Sequence, residues 1–421
     1  KSWSPAKSGE FNAQIRLAKP KMSKFINLLK IQPVFTRLSL VQLICYFGVW
    51  FSHTGIFTLL IELDAPVWAI TAAAALAFVP GVLLSPFSGV VVDKFSPKPM
   101  LVVLTTVEMI TAFMLIFIDK LSLMWLLFVI IFIRMAAGGT YFQAEMSLFP
   151  KILNKDELKT ANEIYSLIWA FSYTAGMGLA GIYIHFFGIK SAFLLDCALY
   201  GVALTILLKT DIAVRAQKGG EKIREMLKNG LKYIKQNPLI AHLIMLHAVV
   251  GVTSYDALVA LLADYPYAGL LSTSLIIGYI NACRSLALMM GPLVLSKFVS
   301  NASLVYIYIG HGLGIMAWSA LQFNFYLGFI GILCAGFFTS TLWSYTYTLI
   351  QQKCDPKFYG RIIAYNDMVC LAVGAAVSGG IGLLFELGLS LAQITALMGC
   401  AFILGAFYWL AVRKIYKDEL A

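Results

Sequence analysis

The chain has 421 residues, of which 60% are hydrophobic and 13% charged, and its formal net charge is +11. This composition leaves too little polar surface to cover a water-soluble globule, which excludes a soluble globular protein. The basic residues lie beside the ends of apolar stretches, where anionic lipids attract them by about 1 kcal/mol each. No nucleic-acid partner is therefore predicted.

Residues 1–21 are polar and basic, and Met22 begins a segment with the character of a natural amino terminus. We expect residues 1–21 to be a vector-derived leader and leave them out of the fold prediction. No apolar signal-peptide core follows the first basic residues, so the first apolar stretch is expected to remain as a membrane span.

Twelve apolar stretches follow, and each is close to the about 20 residues that a helix needs to cross a bilayer. The predicted spans, numbered 1 to 12, cover residues 36–62, 66–92, 99–118, 122–149, 161–186, 191–209, 239–263, 270–296, 303–322, 325–349, 362–384 and 390–412. Most of the 32 Lys and Arg residues lie before span 1, in the even-numbered loops or after span 12. Because loops rich in Lys and Arg stay in the cytoplasm, both termini are predicted to be cytoplasmic. The predicted fold class is an all-α membrane protein with 12 transmembrane helices.

The longest hydrophilic interruption separates span 6 from span 7 and divides the spans six and six. The predicted domains are an amino-terminal bundle at 22–209, a cytoplasmic linker at 210–238 and a carboxy-terminal bundle at 239–421. Within the linker, Leu227, Leu231 and Ile234 recur at helical spacing among lysines. This pattern predicts an amphipathic helix on the inner membrane surface.

The two halves repeat a short loop, since Asp93-Lys94-Phe95 follows span 2 and Ser296-Lys297-Phe298 follows span 8. Two six-span halves of the same orientation indicate parallel repeats, with a substrate path between them.

The first of these loops carries a family signature. Gly89, Asp93, Lys94 and Lys98 have the spacing of the loop between the second and third helices of the major facilitator superfamily, which the chain resembles there. The resemblance implies two six-helix bundles that rock around a midplane cavity, and it makes these four residues a gating motif. In that family the aspartate reaches a helix N-terminus of the other half, where the helix dipole favours an anion.

Two further segments resemble one branch of that superfamily. Residues 150–162 are similar to its "LP…L..AN" entry into the fifth helix, and residues 188–196 to its "G…AF..DA" opening of the sixth. The branch is exporter-like and includes siderophore exporters and lysophospholipid transporters. The antiporter-type glycine-proline motif of the fifth helix is reduced here to Gly176, Gly178 and Gly181.

Ionisable side chains at membrane depth cost several kcal/mol, so each is a candidate functional residue. In chain order the candidates are Glu108, Arg134, Asp196, Asp256, Arg284 and Asp367, with Asp196 and Asp367 as secondary choices. Glu145 and Glu163 are expected to meet water at cytoplasmic helix ends and rank below them.

Glu108 and Arg134 are equally far from residue 121 in the loop that joins spans 3 and 4. An antiparallel hairpin would place them at the same depth, where they could form a pair. Two interpretations stay open: a static salt bridge that locks the hairpin, or a pair that opens when Glu108 is protonated or substrate arrives. Arg134, followed by Gly138 and Gly139, resembles the arginine of the superfamily's cavity-lining fourth helix.

Asp256 on span 7 is the predicted cation or proton site, with a packing role as the alternative. Arg284, which follows Asn281 on span 8, could be its partner. Counted from the connecting loop, their depths differ by six residues, or about 9 Å at 1.5 Å per residue. We therefore expect no direct bond between Asp256 and Arg284, and a water or substrate bridge instead.

Span 1 presents a polar and aromatic face made of Gln42, Tyr46, Trp50 and His53. Such a face could line a ligand cavity, or it could hold helices together by hydrogen bonds. The isolated His247 and His311 have no second ligand at i+3 or i+4, so no metal site is predicted.

These features predict a secondary active transporter that works by alternating access and exports an amphipathic organic solute, such as a drug, siderophore or metabolite, with proton coupling. A lysophospholipid transporter or flippase and a non-transporting membrane receptor are the alternatives. The chain contains no GxSxG, HExxH or GxxxxGK[ST] motif, so neither an enzyme nor an ATPase is predicted. We expect no cofactor, a multi-pass monomer in the inner (plasma) membrane, and a small-molecule substrate, protons and membrane lipids as partners.

Overall fold

The computed structural model of the chain describes residues 24–214 and 223–420. The predicted leader at 1–21 lies outside the described residues. Within them, 12 helical segments are long and apolar enough to cross a membrane. They are, in order, Pro33–Glu62, Val67–Ser85, Pro97–Leu115, Leu121–Ile152, Asp156–Phe187, Ile189–Leu208, Pro238–Asp264, Thr273–Leu295, Leu304–Leu321, Phe325–Lys353, Tyr359–Glu386 and Leu391–Ile415. The prediction of twelve spans is confirmed.

Several spans are not single uninterrupted α-helices. Span 2 is built from helices Val67–Leu76 and Val79–Lys94, span 4 from a 3₁₀ turn at Leu121–Leu123 and helix Met124–Ile152, and span 10 from helices Phe325–Phe337 and Thr339–Lys353. The helix of span 5 is Lys155–Phe187 and starts earlier than predicted. Asn154 and Glu157 form a capping box there, which satisfies free backbone N–H groups at the helix start.

Span 7 departs most from its prediction as one continuous helix. Helix Pro238–Ala248 gives way to a 3₁₀ turn at Val249–Thr253, and a new α-helix runs over Asp256–Asp264. The interruption contains three valines, a threonine and Gly251, residue types with low helix propensity. At Gly251 an added Cβ would lie 2.5 Å from the carbonyl oxygen of Cys370. The close approach of span 11 therefore requires glycine at this position.

The spans form two six-helix bundles. In the first, span 1 packs against spans 5 and 6, and span 3 against spans 4 and 6; in the second, span 9 packs against spans 10 and 12. We name the side that holds the linker helix and the described residues Lys24 and Leu420 the terminal side, and the opposite side the far side. Span 5 on span 8, and span 2 on span 11, connect the bundles.

The tightest contact between the bundles lies near the far side. A Cβ added at Gly181 of span 5 would lie 2.5 Å from the Ser274 carbonyl oxygen and 3.0 Å from the Gly278 Cα of span 8. A Cβ added at Gly382 of span 11 would meet the Thr71 hydroxyl of span 2. The backbones of spans 5 and 8 touch because glycine leaves room for them.

The predicted amphipathic helix is present as Ile223–Gln236. Its inner face packs on span 11, where the Tyr365 hydroxyl donates a hydrogen bond to the Leu227 carbonyl oxygen at 2.9 Å and Tyr233 stacks on Phe358 at 4.4 Å. Its outer face exposes Lys228, Leu231, Lys232 and Lys235. The linker helix is thus attached to the carboxy-terminal bundle on one side and presents a basic stripe on the other.

Candidate functional site

The amino-terminal bundle contains a sealed ion pair. Arg134 of span 4 and Asp196 of span 6 are 2.5 Å apart, and their side chains are 2% and 0% exposed. The Ser52 hydroxyl of span 1 donates a second hydrogen bond to the same Asp196 oxygen. Three spans are thereby joined through one carboxylate. Asp196, a secondary candidate from sequence, is a central member of this cluster.

Glu108 belongs to the same cluster but does not pair with Arg134 through its side chain. Its Oε1 accepts a hydrogen bond from the Tyr200 hydroxyl at 3.0 Å, and its backbone carbonyl accepts one from Arg134 Nη1 at 3.3 Å. The predicted side-chain pair between Glu108 and Arg134 is not formed, because the Arg134 guanidinium binds the Asp196 carboxylate of span 6 instead. The two residues do lie at equal depth, but depth does not determine which face of a helix carries a side chain.

A second charged cluster lies between the two bundles. His53 Nε2 of span 1 is 3.4 Å from Asp256 Oδ2, and Arg284 Nη1 of span 8 is 3.7 Å from Asp256 Oδ1. Arg284 Nη2 also donates to the Thr253 carbonyl oxygen at 2.9 Å. These three side chains are between 12% and 19% exposed, so the second cluster is less sealed than the first.

The direct contact of Asp256 with Arg284 contradicts the expectation that the two are too far apart in depth. That expectation counted both depths from the middle of the connecting loop, at 1.5 Å per residue. The helix of span 7 ends at Asp264 and that of span 8 begins at Thr273. Counted from these two helix ends, the depths differ by three residues, or about 4.5 Å, which an arginine side chain spans. Asp256 itself lies in the first turn of its helix. There a carboxylate also meets the favourable end of the helix dipole.

An aromatic wall stands beside the second cluster. The Trp50 ring is 5.7 Å from His53 and 4.5 Å from Tyr173 of span 5, and Tyr173 stacks on Trp169 at 5.3 Å. Gly176 makes this contact possible, since a Cβ there would lie 2.7 Å from Trp50 Cδ1. Trp50 and His53 of the polar face of span 1 therefore lie beside the second cluster.

The remaining predicted residues lie in other surroundings. The Tyr46 hydroxyl contacts that of Tyr165 of span 5. Asn281 is 1% exposed, and its Oδ1 has no hydrogen-bond partner. Asp367 accepts a hydrogen bond from the Asn366 side chain at 3.2 Å.

The predicted gating motif is described only in part. The helix of span 2 runs through Gly89, Asp93 and Lys94, but the environment of these positions lies outside the described part of the structure. Lys98 is half-buried in the first turn of helix Pro97–Leu115.

Sequence reasoning missed several residues of the two clusters. Tyr200 lies four residues after Asp196 and thus on the same helix face, a signal that was available. Thr253 and Tyr173 are brought to the second cluster only by tertiary packing, for which the sequence gives no signal. Glu145, expected to meet water, is instead fully buried, and neither carboxylate oxygen has a hydrogen-bond partner. Over the described residues, no group of three or more His, Cys, Asp or Glu side chains could hold a metal ion.

Comparison with known families agrees with this architecture. Residues 38–379 match the model of the Major Facilitator Superfamily. The chain therefore belongs to the Major Facilitator Superfamily.

Individual relatives are distant but cover nearly the whole chain. An uncharacterised MFS-type transporter of Sinorhizobium fredii, y4rN, is 24% identical over 407 residues, which is 92% of this chain and 96% of the relative. Among solved structures, a point mutant of the nucleoside transporter NupG has a TM-score of 0.70 at 15% identity and covers 90% of this chain and 99% of its own. A bacterial homologue of the human lysosomal transporter Spinster, in an inward-facing and unoccupied conformation, has a TM-score of 0.69 at 13% identity and covers 92% and 98%. These matches support a secondary transporter.

Proposed function

We propose that the chain is a proton-coupled exporter of an amphipathic organic solute, belongs to the exporter-like branch of its superfamily, and works as an antiporter by alternating access. It acts as a monomer in the plasma membrane, with both termini in the cytoplasm as the distribution of Lys and Arg favours. The observation that carries the proposal is the cluster of His53, Asp256 and Arg284, in which both bundles contribute ionisable groups to one site.

The chemistry of this site suits a solute with both polar and aromatic or aliphatic parts. Asp256 attracts a cationic or hydrogen-bond-donating group, and Arg284 attracts an anionic or accepting group. Trp50 and Tyr173 offer large apolar faces beside them. Solved structures of the same fold include a nucleoside transporter, so the fold alone does not determine the substrate. The side chains of the site must therefore determine it.

Proton coupling is assigned to Asp256 because it contacts Arg284 of its own bundle and His53 of the other bundle. When Asp256 binds a proton, its attraction to Arg284 and His53 weakens, and the contact between span 1 and span 7 loses interaction free energy. Proton binding and bundle movement are therefore linked at this residue. Glu108 and Arg134 are proposed to support the substrate and proton pathway from within the amino-terminal bundle.

The closed far side supports the view that this conformation opens toward the terminal side. Spans 5 and 8 touch backbone to backbone at Gly181 and Gly278, in the far-side third of both spans. With cytoplasmic termini, the site would be loaded from the cytoplasm in this state, as export requires.

Counterflow in proteoliposomes with a mixed library of solutes, with and without a pH gradient, tests the proposal. We expect exchange of at least one amphipathic solute and its accumulation under the gradient. Asp256→Asn should abolish gradient-driven accumulation, while Asp264→Asn, at the far-side end of the same span, should leave it unchanged. Failure of every solute to exchange would refute the transport assignment. Intact accumulation in both Asp256→Asn and Glu108→Gln would refute the proton-site assignment.

A further inference from the structure

A third polar group lies inside the amino-terminal bundle and takes no part in either charged cluster. Glu145 of span 4 is fully buried, and both of its carboxylate oxygens lack hydrogen-bond partners. The hydroxyl of Tyr141, one turn earlier on the same helix, is also buried without a partner. On span 1, the side-chain amide of Gln42 is 1% exposed and lies beside the Tyr46 and Tyr165 hydroxyls. Unused donors and acceptors of this kind are rare in protein interiors.

The side chains within range of the Glu145 charge are thiols and phenols. They are Cys45 and Tyr46 of span 1, Tyr141 of span 4 and Tyr165 of span 5. Glu108, Arg134 and Asp196 of the first charged cluster act on the same Cys45. Over Val67–Ser85 of span 2 no side chain is titratable. No Lys, Arg or His of the described chain forms an ion pair with Glu145.

A carboxylate ion without a cation or a hydrogen-bond donor is unfavourable in an apolar interior, by several kcal/mol. Binding a proton removes the charge and turns the group into a hydrogen-bond donor. Loss of the proton would instead demand donors. The Tyr141 hydroxyl lies one turn away on the same helix without a partner, and the Gln42 amide lies beside the Tyr46 and Tyr165 hydroxyls, which are within range of the Glu145 charge. The protonated and the ionised forms of Glu145 therefore favour different packing of span 1 against span 4.

We propose that Glu145, with Tyr141 and Gln42, forms a proton-binding site within the amino-terminal bundle that is separate from the cluster between the bundles. These three side chains lie on spans 1 and 4, and none of them belongs to the cluster between the bundles, so the bound proton does not compete with substrate for the same atoms. It acts instead on the packing of span 1, the helix that carries His53 and Trp50. Only this consequence for transport rests on the proposed function; the proton itself can be observed directly.

Infrared difference spectroscopy of the purified full-length protein across a pH titration tests the site. The wild type should show the C=O stretching band of a protonated carboxylic acid that is absent from Glu145→Gln. Glu163→Gln, the same chemical change at a half-buried position one helix away, should retain the band. Tyr141→Phe should retain the band to higher pH, because the ionised carboxylate loses a hydrogen-bond donor. Identical band profiles in wild type and Glu145→Gln would overturn the proposal.

Transport measurements separate a proton site from a packing residue. Glu145→Gln should keep wild-type counterflow and substrate affinity and lose at least tenfold of the stimulation by a pH gradient. An equal loss of counterflow and gradient stimulation would point to a packing role and overturn the proposal. If no solute is exchanged by the wild type, the proposed function fails, and the infrared result still decides whether Glu145 binds a proton.

Discussion

Substitution of Gly181 by alanine should open the far side of the protein. The new Cβ would lie 2.5 Å from the Ser274 carbonyl oxygen, whereas carbon and oxygen atoms normally stay about 3.3 to 3.6 Å apart. Spans 5 and 8 must therefore separate by about 1 Å, because the obstructing atom belongs to the backbone. Overpacking of this kind costs about 1 to 3 kcal/mol. If the bundles part here in the other state, that cost shifts the equilibrium by about 5- to 150-fold toward the far-side-open form.

Spin labels on the far-side loops can measure this shift. With the native cysteines replaced, labels at Lys120 of the first bundle and Phe323 of the second should show a longer distance distribution in Gly181→Ala. The matched control is Gly139→Ala on span 4, because a Cβ at that glycine meets no atom within 4 Å. An unchanged distribution in Gly181→Ala would show that this contact does not hold the far side closed, and the reasoning from backbone contact would be refuted.

Two further predictions concern stability and lipid binding. Asp196→Asn should lower the free energy of unfolding by about 3 to 5 kcal/mol, because Arg134 would be left as an unpaired buried charge. Thermal unfolding in detergent measures this change. The control Glu163→Gln should stay within about 0.5 kcal/mol of wild type. Lys232→Gln on the exposed stripe of the linker helix should weaken binding of anionic lipid in nanodiscs by about 1 kcal/mol, or about fivefold. Equal lipid affinity in wild type and variant would argue against a membrane-facing stripe.

Most of the fold is predictable because a bilayer imposes a simple rule on sequence. Every span must be about 20 residues of mostly apolar character, and basic loops mark one side. The linker helix was predictable for a related reason, since its apolar residues recur at helical spacing. The break in span 7 was not, because Val249–Thr253 is as apolar as the helix before it. Hydropathy measures how well a segment suits lipid and carries no information on which apolar segment leaves helical geometry.

The residues of the site were predictable more readily than their partners. A charge at membrane depth is conspicuous in a sequence, which is why Arg134, Asp256 and Arg284 could be named. Their pairing depends on the rotation of each helix about its axis, and helix rotation is set by packing against neighbours. Arg134 thus meets Asp196, although Glu108 lies at the same depth on the adjacent span.

The two charged clusters respond differently to a rocking motion of the bundles. Arg134 and Asp196 belong to the same bundle and are sealed from solvent, so that pair moves with the bundle as one unit. His53 and Asp256 lie on different bundles, 3.4 Å apart, and their contact must lengthen wherever the bundles separate. A contact that is present in one state and absent in the other biases the equilibrium by its own interaction free energy. A proton or solute that separates Asp256 from His53 therefore changes the balance between the states. The Arg134–Asp196 pair moves as one unit and adds no such bias by itself.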